Sequence, residues 1–405
     1  MSRIEANTNP LHYTFTSRMP RVPPRLLRQT YATHRSLPSL LPVCRDLTSA
    51  QNELRWLQEH AVTGSQSQSG HGDGHLLRGF VERRASGEPL QYILGSEYFG
   101  DLEIICRKGV LIPRFVCFLA LQFDFSSEFR SVRQETAASV THLVHRLASD
   151  LEITKLRVID LCTGTGCIPL LFHLEFYRKY QTGGRGLELA AVDISKTALA
   201  LARENWNAQR KAQSHSHDSQ STRLQSLEAM KFVEADVLND DVQTCGPKSV
   251  LKSLQELYRA STIPRFDVLI SNPPYISSKA FRTTTARSVR AFEPRLALVP
   301  KSSGLDHSTP DGDIFYPHLL RLAEQVKAKV MLFEVADINQ AKRVAALCIR
   351  QGHWENVEIW RDDPRDERAS TSSAVIGRKT VAVRGTGHGR SVFAYRAAVA
   401  SWFVG

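Results

Sequence analysis

The chain has 405 residues, an apolar fraction of 42% and a formal net charge of +11. That length holds two domains or one large domain with an appendage, and no uninterrupted apolar run is long enough for a transmembrane helix. The charge is local: residues 1–45 hold seven arginines, no lysine and one acid (Glu5), leaving about +5 for the other 360 residues, so charge does not argue for a polyanion partner.

Residues 1–28 are rich in Arg, Ser, Thr and Pro and poor in acids, the composition of a mitochondrial transit peptide, with a disordered basic tail as the plainer alternative. A small helical domain is expected over 29–88. Its first helix carries Leu54, Trp56 and Leu57 behind an N-cap at Thr48 or Ser49, and its second runs from Leu76 to Ala85 and stops at Gly87. Between them, 63–74 reads as a low-complexity loop. Over 89–114, the segments Pro89–Gly95, Tyr98–Gly100 and Leu102–Ile105 alternate like strands and predict a β-hairpin linker. Residues 115–133 form an anomalous apolar insertion that fits no pattern, ahead of a helix start at Gln134-Glu135-Thr136.

From 134 to 405 the pattern is strand, loop, helix, repeated, which predicts a doubly wound, mostly parallel α/β sheet of seven strands. Strands are expected at Leu156–Leu161, Leu187–Val192, Lys231–Asp236, Phe266–Ile270, Val330–Glu334 and Val357–Trp360, with Ala374–Ile376 and Ser391–Tyr395 closing the sheet. Pro169 falls in the first turn of a helix, where no N–H is needed. A polar stretch at 209–226 reads as a surface loop, and its His215 and His217 lack a third ligand nearby, so no metal site is assigned. Seven scattered cysteines without a Cys-x-x-Cys pair fit neither a disulfide framework nor a zinc site.

Two stretches carry chemistry. Cys162-Thr163-Gly164-Thr165-Gly166 leaves the first strand of the large domain as a glycine loop, which suits a ligand that approaches backbone closely. A dinucleotide fingerprint needs a third glycine where Pro169 stands, and no Gly-Lys-Ser/Thr follows as in a phosphate loop. Three acids instead mark successive strand ends. Asp160 precedes the loop, Asp193 is placed to take both hydroxyls of a ribose, and Asp236 is placed near an adenine amino group. Ribose and adenine without phosphate, plus a cationic centre, describe S-adenosylmethionine.

The second stretch is Asn272-Pro273-Pro274-Tyr275, just past a buried strand, where open α/β sheets bind ligands. The prolines fix φ and lack N–H donors, and each restricts the residue before it. The Asn272 side-chain oxygen, the Pro273 carbonyl and the Tyr275 ring then form a rigid acceptor cup suited to a planar NH2 group. Taken alone, the stretch also reads as a Pro-rich turn that ends a strand.

Over most of 40–360 the chain resembles the HemK/PrmC family, the glutamine methyltransferases of peptide-chain release factors. Asp160–Ile168 resembles its glycine motif and Asn272–Tyr275 its substrate motif. Gly87–Gly95, Val110–Arg114, Phe292–Leu298 and Phe333-Glu334-Val335 with Gln340 resemble its flanking segments. The resemblance implies a class I S-adenosylmethionine-dependent methyltransferase sheet, with Asp160, Thr163, Gly164, Thr165, Gly166, Asp193, Asp236 and Asn272 at the cofactor. It implies Asn272, Pro273, Pro274 and Tyr275 at the reacting amide, and an N-terminal domain that recognises the substrate. With the basic N-terminus it points to a mitochondrial (matrix) member, with a cytoplasmic location as the alternative, acting on the Gly-Gly-Gln glutamine of an organellar release factor and so supporting translation termination. Asn-Pro-Pro-Tyr is shared with adenine-amino methyltransferases of DNA and RNA, which form the competing reading, although no basic target-recognition module is visible; a catalytically dead scaffold is the third. In the family, the equivalent of Ile112-Pro113-Arg114 runs almost directly into that of Glu135-Thr136. Residues 115–133 interrupt the join, and read as a translated intron or gene-model error, or as a tolerated loop.

Overall fold

In the computed structural model the described residues are 22–67, 73–113, 135–148, 153–180, 185–214, 222–239, 248–301, 309–366 and 372–403. Most of the N-terminal basic stretch, Arg114, the 115–133 insertion, His215, His217, Cys117 and Cys245 lie outside them. The chain divides into two compact units at Glu88/Pro89.

The first unit is helical: Pro24–Thr33, Leu37–Cys44, Leu47–Ser67 and Asp73–Ala85. Ala50, Leu54, Leu57 and Ala61 recur at helical spacing and are buried. The third helix begins earlier than expected, because Asp46 rather than Thr48 or Ser49 caps it, its Oδ1 accepting the Ser49 N–H at 2.7 Å. Thr63–Ser67, read as loop, continue that helix. A bidentate Arg84–Glu53 pair (2.6 and 2.9 Å) joins the two long helices.

The second unit opens with a short helix, Leu90–Leu94, where strand was expected. Leu90, Tyr92 and Ile93 are buried, and the Tyr92 hydroxyl donates to the Val110 carbonyl at 2.6 Å, so burial on one helical face wins over the apparent alternation. β1 (Ser96–Phe99) and β2 (Leu102–Ile105) then pair as the antiparallel hairpin.

The main sheet is built from β3 (Lys155–Leu161), β4 (Gly186–Asp193), β5 (Lys231–Glu234), β6 (Val268–Ser271), β7 (Val330–Glu334), β8 (Asn356–Asp363), β9 (Ser372–Ile376), β10 (Lys379–Arg384) and β11 (Thr386–Tyr395). Its order is β5-β4-β3-β6-β7-β11-β8-β10-β9. β3 to β7 run parallel, and β11 inserts antiparallel between β7 and β8. The sheet expected to have seven strands, with eight ranges placed along the sequence, has nine among the described residues: the added strand, β10, lies parallel to β8, and the edge strand β9 pairs with it antiparallel across the tight Gly377-Arg378 connection. The run Lys379–Arg384 was passed over because only Val381-Ala382-Val383 are apolar in it, too short a stretch to read as a strand.

Successive residues of the central strands face opposite layers, as the two-residue repeat demands. Ile159, Leu161, Leu269, Met331 and Phe333 pack in one apolar cluster with the helices Phe315–Gln325 and Ile338–Gln351. Val158, Val268, Ile270, Val330 and Leu332 pack in the other, with the helices Glu135–Arg146 and Cys167–Lys179. The sheet is thus covered on both faces, and its parallel strands end at one edge. The 209–226 stretch, read as loop, is largely helix: Lys196–Ser214 continues through its first part and Thr222–Glu228 closes it. The described cysteines, Cys44, Cys106, Cys162, Cys167 and Cys348, are free thiols. No described helix is long and apolar enough to cross a membrane.

Candidate active site

Where β3 ends, the chain turns sharply. Cys162 takes a left-handed φ of 63°, rare for a residue with a side chain, and Gly164 and Gly166 follow at 56° and 76°. The Thr163 N–H donates to the Val192 carbonyl at 2.9 Å, which ties the turn to β4. Gly166 is required twice, since a Cβ there would also sit 3.1 Å from that of Ala202. Gly164 meets nothing within 4 Å, so open space lies over its Cα.

Asp193, at the end of β4, holds this loop. Its Oδ2 accepts the Gly164 N–H and its Oδ1 the Ser195 N–H, both at 2.8 Å. Each oxygen keeps a free lone pair, so the expected ribose role is compatible with the structural one. Burial raises its pKa against these donors. Ser195 caps the next helix through the Ala198 N–H at 3.2 Å. Asp160 is 1% exposed, and its carboxylate makes no close hydrogen bond beyond the approach of the Thr163 hydroxyl, which favours the charged form. Burial pushes Asp160 up to about 8. Asp236 lies two residues beyond β5 and accepts the Leu238 N–H at 2.9 Å. The three acids converge: beyond burial, Asp193, Asp160 and Asp236 all push the Cys162 thiol well above its usual range.

The Asn-Pro-Pro-Tyr stretch leaves the neighbouring strand. The Ser271 hydroxyl donates to the Leu161 carbonyl at 2.8 Å, which locks the ends of β6 and β3 together. Pro273, Pro274 and Tyr275 are buried and Asn272 is half-buried. A cleft of about 620 Å3, counting space open to solvent, has Thr163, Gly164 and Thr165 on its wall together with Asn272, Pro273 and Tyr275. Pro274, Gly166 and the three acids are not among its lining residues.

Three residues hold the stretch in place through contacts that no local sequence pattern announces. Glu334, the last residue of β7, is buried and accepts the Tyr275 hydroxyl at 3.0 Å and the Thr136 hydroxyl. Gln340 donates to the carbonyls of Tyr275 (3.3 Å) and Gly312 (3.0 Å) and to Asp313 Oδ1 (2.8 Å), and accepts the Ala336 N–H at 2.7 Å. Gly312 presses so close that a Cβ would stand 2.7 Å from the Tyr275 carbonyl oxygen. Glu334 and Gln340 stand in a segment that the family resemblance marked, and Glu334 is also an acid ending the otherwise apolar strand Val-Met-Leu-Phe, whereas Gly312 carried no signal. Tyr275 is therefore a fixed wall, anchored at its hydroxyl, not a lid that closes. Among the described residues no group of three His, Cys, Asp or Glu side chains is placed to hold a metal ion.

A mostly parallel sheet covered by helices on both faces, with a glycine turn after β3, an acid closing β4 and a ligand cleft over the strand ends, is a class I methyltransferase domain. No protein-family model matches the chain. It is 31% identical over 339 residues, 83% of its own length and 92% of the relative's, to the probable MRF1 mitochondrial N(5)-glutamine methyltransferase mtq1 of Schizosaccharomyces pombe. It is 29% identical over 285 residues (69% and 68%) to the mitochondrial MRF1 N(5)-glutamine methyltransferase MTQ1 of Saccharomyces cerevisiae. A release factor glutamine methyltransferase of Nitratidesulfovibrio vulgaris is 27% identical over 289 residues (71% and 73%). The chain belongs to this family of glutamine methyltransferases.

Proposed function

We propose that the protein transfers a methyl group from S-adenosylmethionine to the side-chain amide nitrogen of the Gly-Gly-Gln glutamine in a mitochondrial release factor. The observation that carries the reading is the shared cleft: the glycine loop and the acceptor stretch, 108 positions apart between Gly164 and Asn272, face one cavity. Family membership supplies the substrate class, since the relatives in both yeasts are named for the mitochondrial factor MRF1. The same names, with the arginine-rich N-terminus, favour a mitochondrial, matrix location. The helical unit before Pro89 is the part assigned to recognising the release factor.

The residues present fit the cofactor. Asp160 offers a buried carboxylate that the neighbouring Thr163 hydroxyl alone approaches, which leaves acceptor capacity beside open space over Gly164. Such spare acceptor capacity suits a ligand bearing hydroxyls and positive charge. Gly164, Thr165 and Gly166 would let it approach the backbone, with Asp193 and Asp236 as further acceptors. When bound, it supplies an electrophilic methyl group on a sulfonium sulfur.

The protein's own part is positioning. An amide nitrogen is a weak nucleophile because its lone pair is delocalised into the carbonyl. Asn272 Oδ1 and the Pro273 carbonyl accept the two amide hydrogens, and Tyr275 walls the group so that the nitrogen faces the methyl donor. Pro273 and Pro274 keep these acceptors from rotating. Orientation of this kind contributes about 7–11 kcal/mol in favourable cases. The test supplies methyl-labelled cofactor to a release factor, to its Gln-to-Ala variant and to DNA and RNA. Label on the first alone supports the reading, and label on nucleic acid overturns it.

A further inference from the structure

The acceptor role of Asn272 raises a problem that its own sequence neighbours do not solve. A carboxamide presents an oxygen on one side and an NH2 on the other, and the two are nearly equal in shape. Turned the wrong way, Asn272 would offer donors to a substrate NH2 group and repel it. Something beneath the cleft must distinguish the two ends.

Glu334 is the group placed to do so. It ends β7, next to β6 from which the Asn-Pro-Pro-Tyr stretch departs, with Ser271 in register with Phe333. Its side chain is buried, and its two oxygens accept from Tyr275 and Thr136, both of which share the cleft wall with Asn272. An ionised carboxylate accepts hydrogen bonds and cannot donate. Resting on the reading of function above, we infer that Glu334 is a positioning residue: it takes the Asn272 amide hydrogens and so turns Oδ1 into the cleft.

The charges around it are consistent. Burial raises the pKa of Glu334, opposed in turn by the Thr136 and Tyr275 hydroxyls, by Arg390 and by the Asn272 side chain. Arg390, from β11, is itself held by Glu135 (2.9 Å) on the helix packed against the sheet and by Asp362 (3.1 Å) of β8. Burial pushes Glu135 up to about 9, so it adds little negative charge near neutrality and leaves Arg390 to support the Glu334 carboxylate. Tyr316, whose hydroxyl donates to the Glu334 backbone carbonyl, and the Cys167 thiol complete the titratable groups that face it. Protonation makes the Glu334 carboxyl a donor at one oxygen and removes its preference for the NH2 end of Asn272. The activity should therefore have an acid limb set above the ordinary carboxylate range.

The experiment compares wild type with Glu334→Gln, which keeps the shape but can donate. Expected are a kcat lower by about 10–100-fold, a KM for the cofactor changed less than about twofold, and loss of the acid limb. An unchanged kcat and pH profile overturns the inference. Should Glu334→Gln fail to fold, the wild-type protein alone decides. The side-chain amide signals of Asn272, assigned by NMR, should be protected from exchange and shift together with the titration of Glu334; an exchange-labile Asn272 amide, indifferent to pH, overturns it. This second readout needs no substrate, so failure to methylate a release factor would count against the proposed function and not against the Glu334 contact.

Discussion

Gly312 does not line the cleft, yet its packing against the Tyr275 carbonyl makes it a determinant of rate. Gly312→Ala introduces a Cβ at 2.7 Å from the Tyr275 carbonyl oxygen, 3.3 Å from Gln340 Nε2 and 3.4 Å from the Ser277 nitrogen. Contacts of this type start near 3.0 Å and become comfortable near 3.4 Å, so the Tyr275 carbonyl must retreat by about 0.3–0.7 Å. Gln340 bonds both carbonyls and cannot follow one without losing the other. If a full ångström of misplacement costs about a hundredfold, this displacement lowers kcat by about 4- to 25-fold. The overpacking itself costs about 1–3 kcal/mol, which lowers Tm by roughly 2–4 °C for each kcal/mol. The assay is initial-rate methyl transfer at saturating cofactor and peptide, beside a thermal melt. A melt that falls as expected while kcat stays within about twofold would refute the idea that this carbonyl's position matters to the reaction.

Asn272→Ala should abolish detectable methyl transfer while cofactor binding, followed calorimetrically, persists. Gly166→Ala should weaken cofactor binding and destabilise the fold by about 1–3 kcal/mol, because φ is 76° there and Ala202 blocks the added methyl; chemical denaturation reads the loss. Asp160 is protonated in the folded protein up to about pH 8 but ionised in the unfolded chain from its ordinary value upward, so stability it contributes at low pH is lost as pH rises through that window. Asp160→Asn should accordingly raise Tm of the ligand-free protein, most at and above pH 8, while weakening cofactor affinity; a Tm difference that does not depend on pH would contradict the assignment. Binding of a cation beside Asp160 in wild type should also release protons near pH 7, measurable by calorimetry in buffers of differing ionisation enthalpy.

The parallel strands were legible because each is a short buried apolar run followed by a loop, as in Val158–Leu161 and Val268–Ser271. β9 was expected at Ala374–Ile376, but β10 was not, since Lys379–Arg384 holds only three apolar residues, Val381-Ala382-Val383, between polar ends. Leu90–Leu94 was misread because five residues are too few to separate a helical repeat from a two-residue one. The cleft itself was anticipated: Gly164 and Asn272 meet there through adjacent strands. What stood beneath it was not. Glu334, Gln340 and Gly312 act through contacts with Tyr275, 37 to 65 positions away, and nothing local in Asp311-Gly312-Asp313 announces a backbone approach to Tyr275.

The most direct test is a single-turnover measurement with mass spectrometry of the product, wild type against Asn272→Ala, at saturating cofactor on a release-factor domain containing Gly-Gly-Gln. A cup of fixed acceptors predicts one added methyl on the glutamine side-chain nitrogen for wild type and none for the variant. Near-normal transfer by Asn272→Ala, or a methyl group found on any other residue, would contradict it.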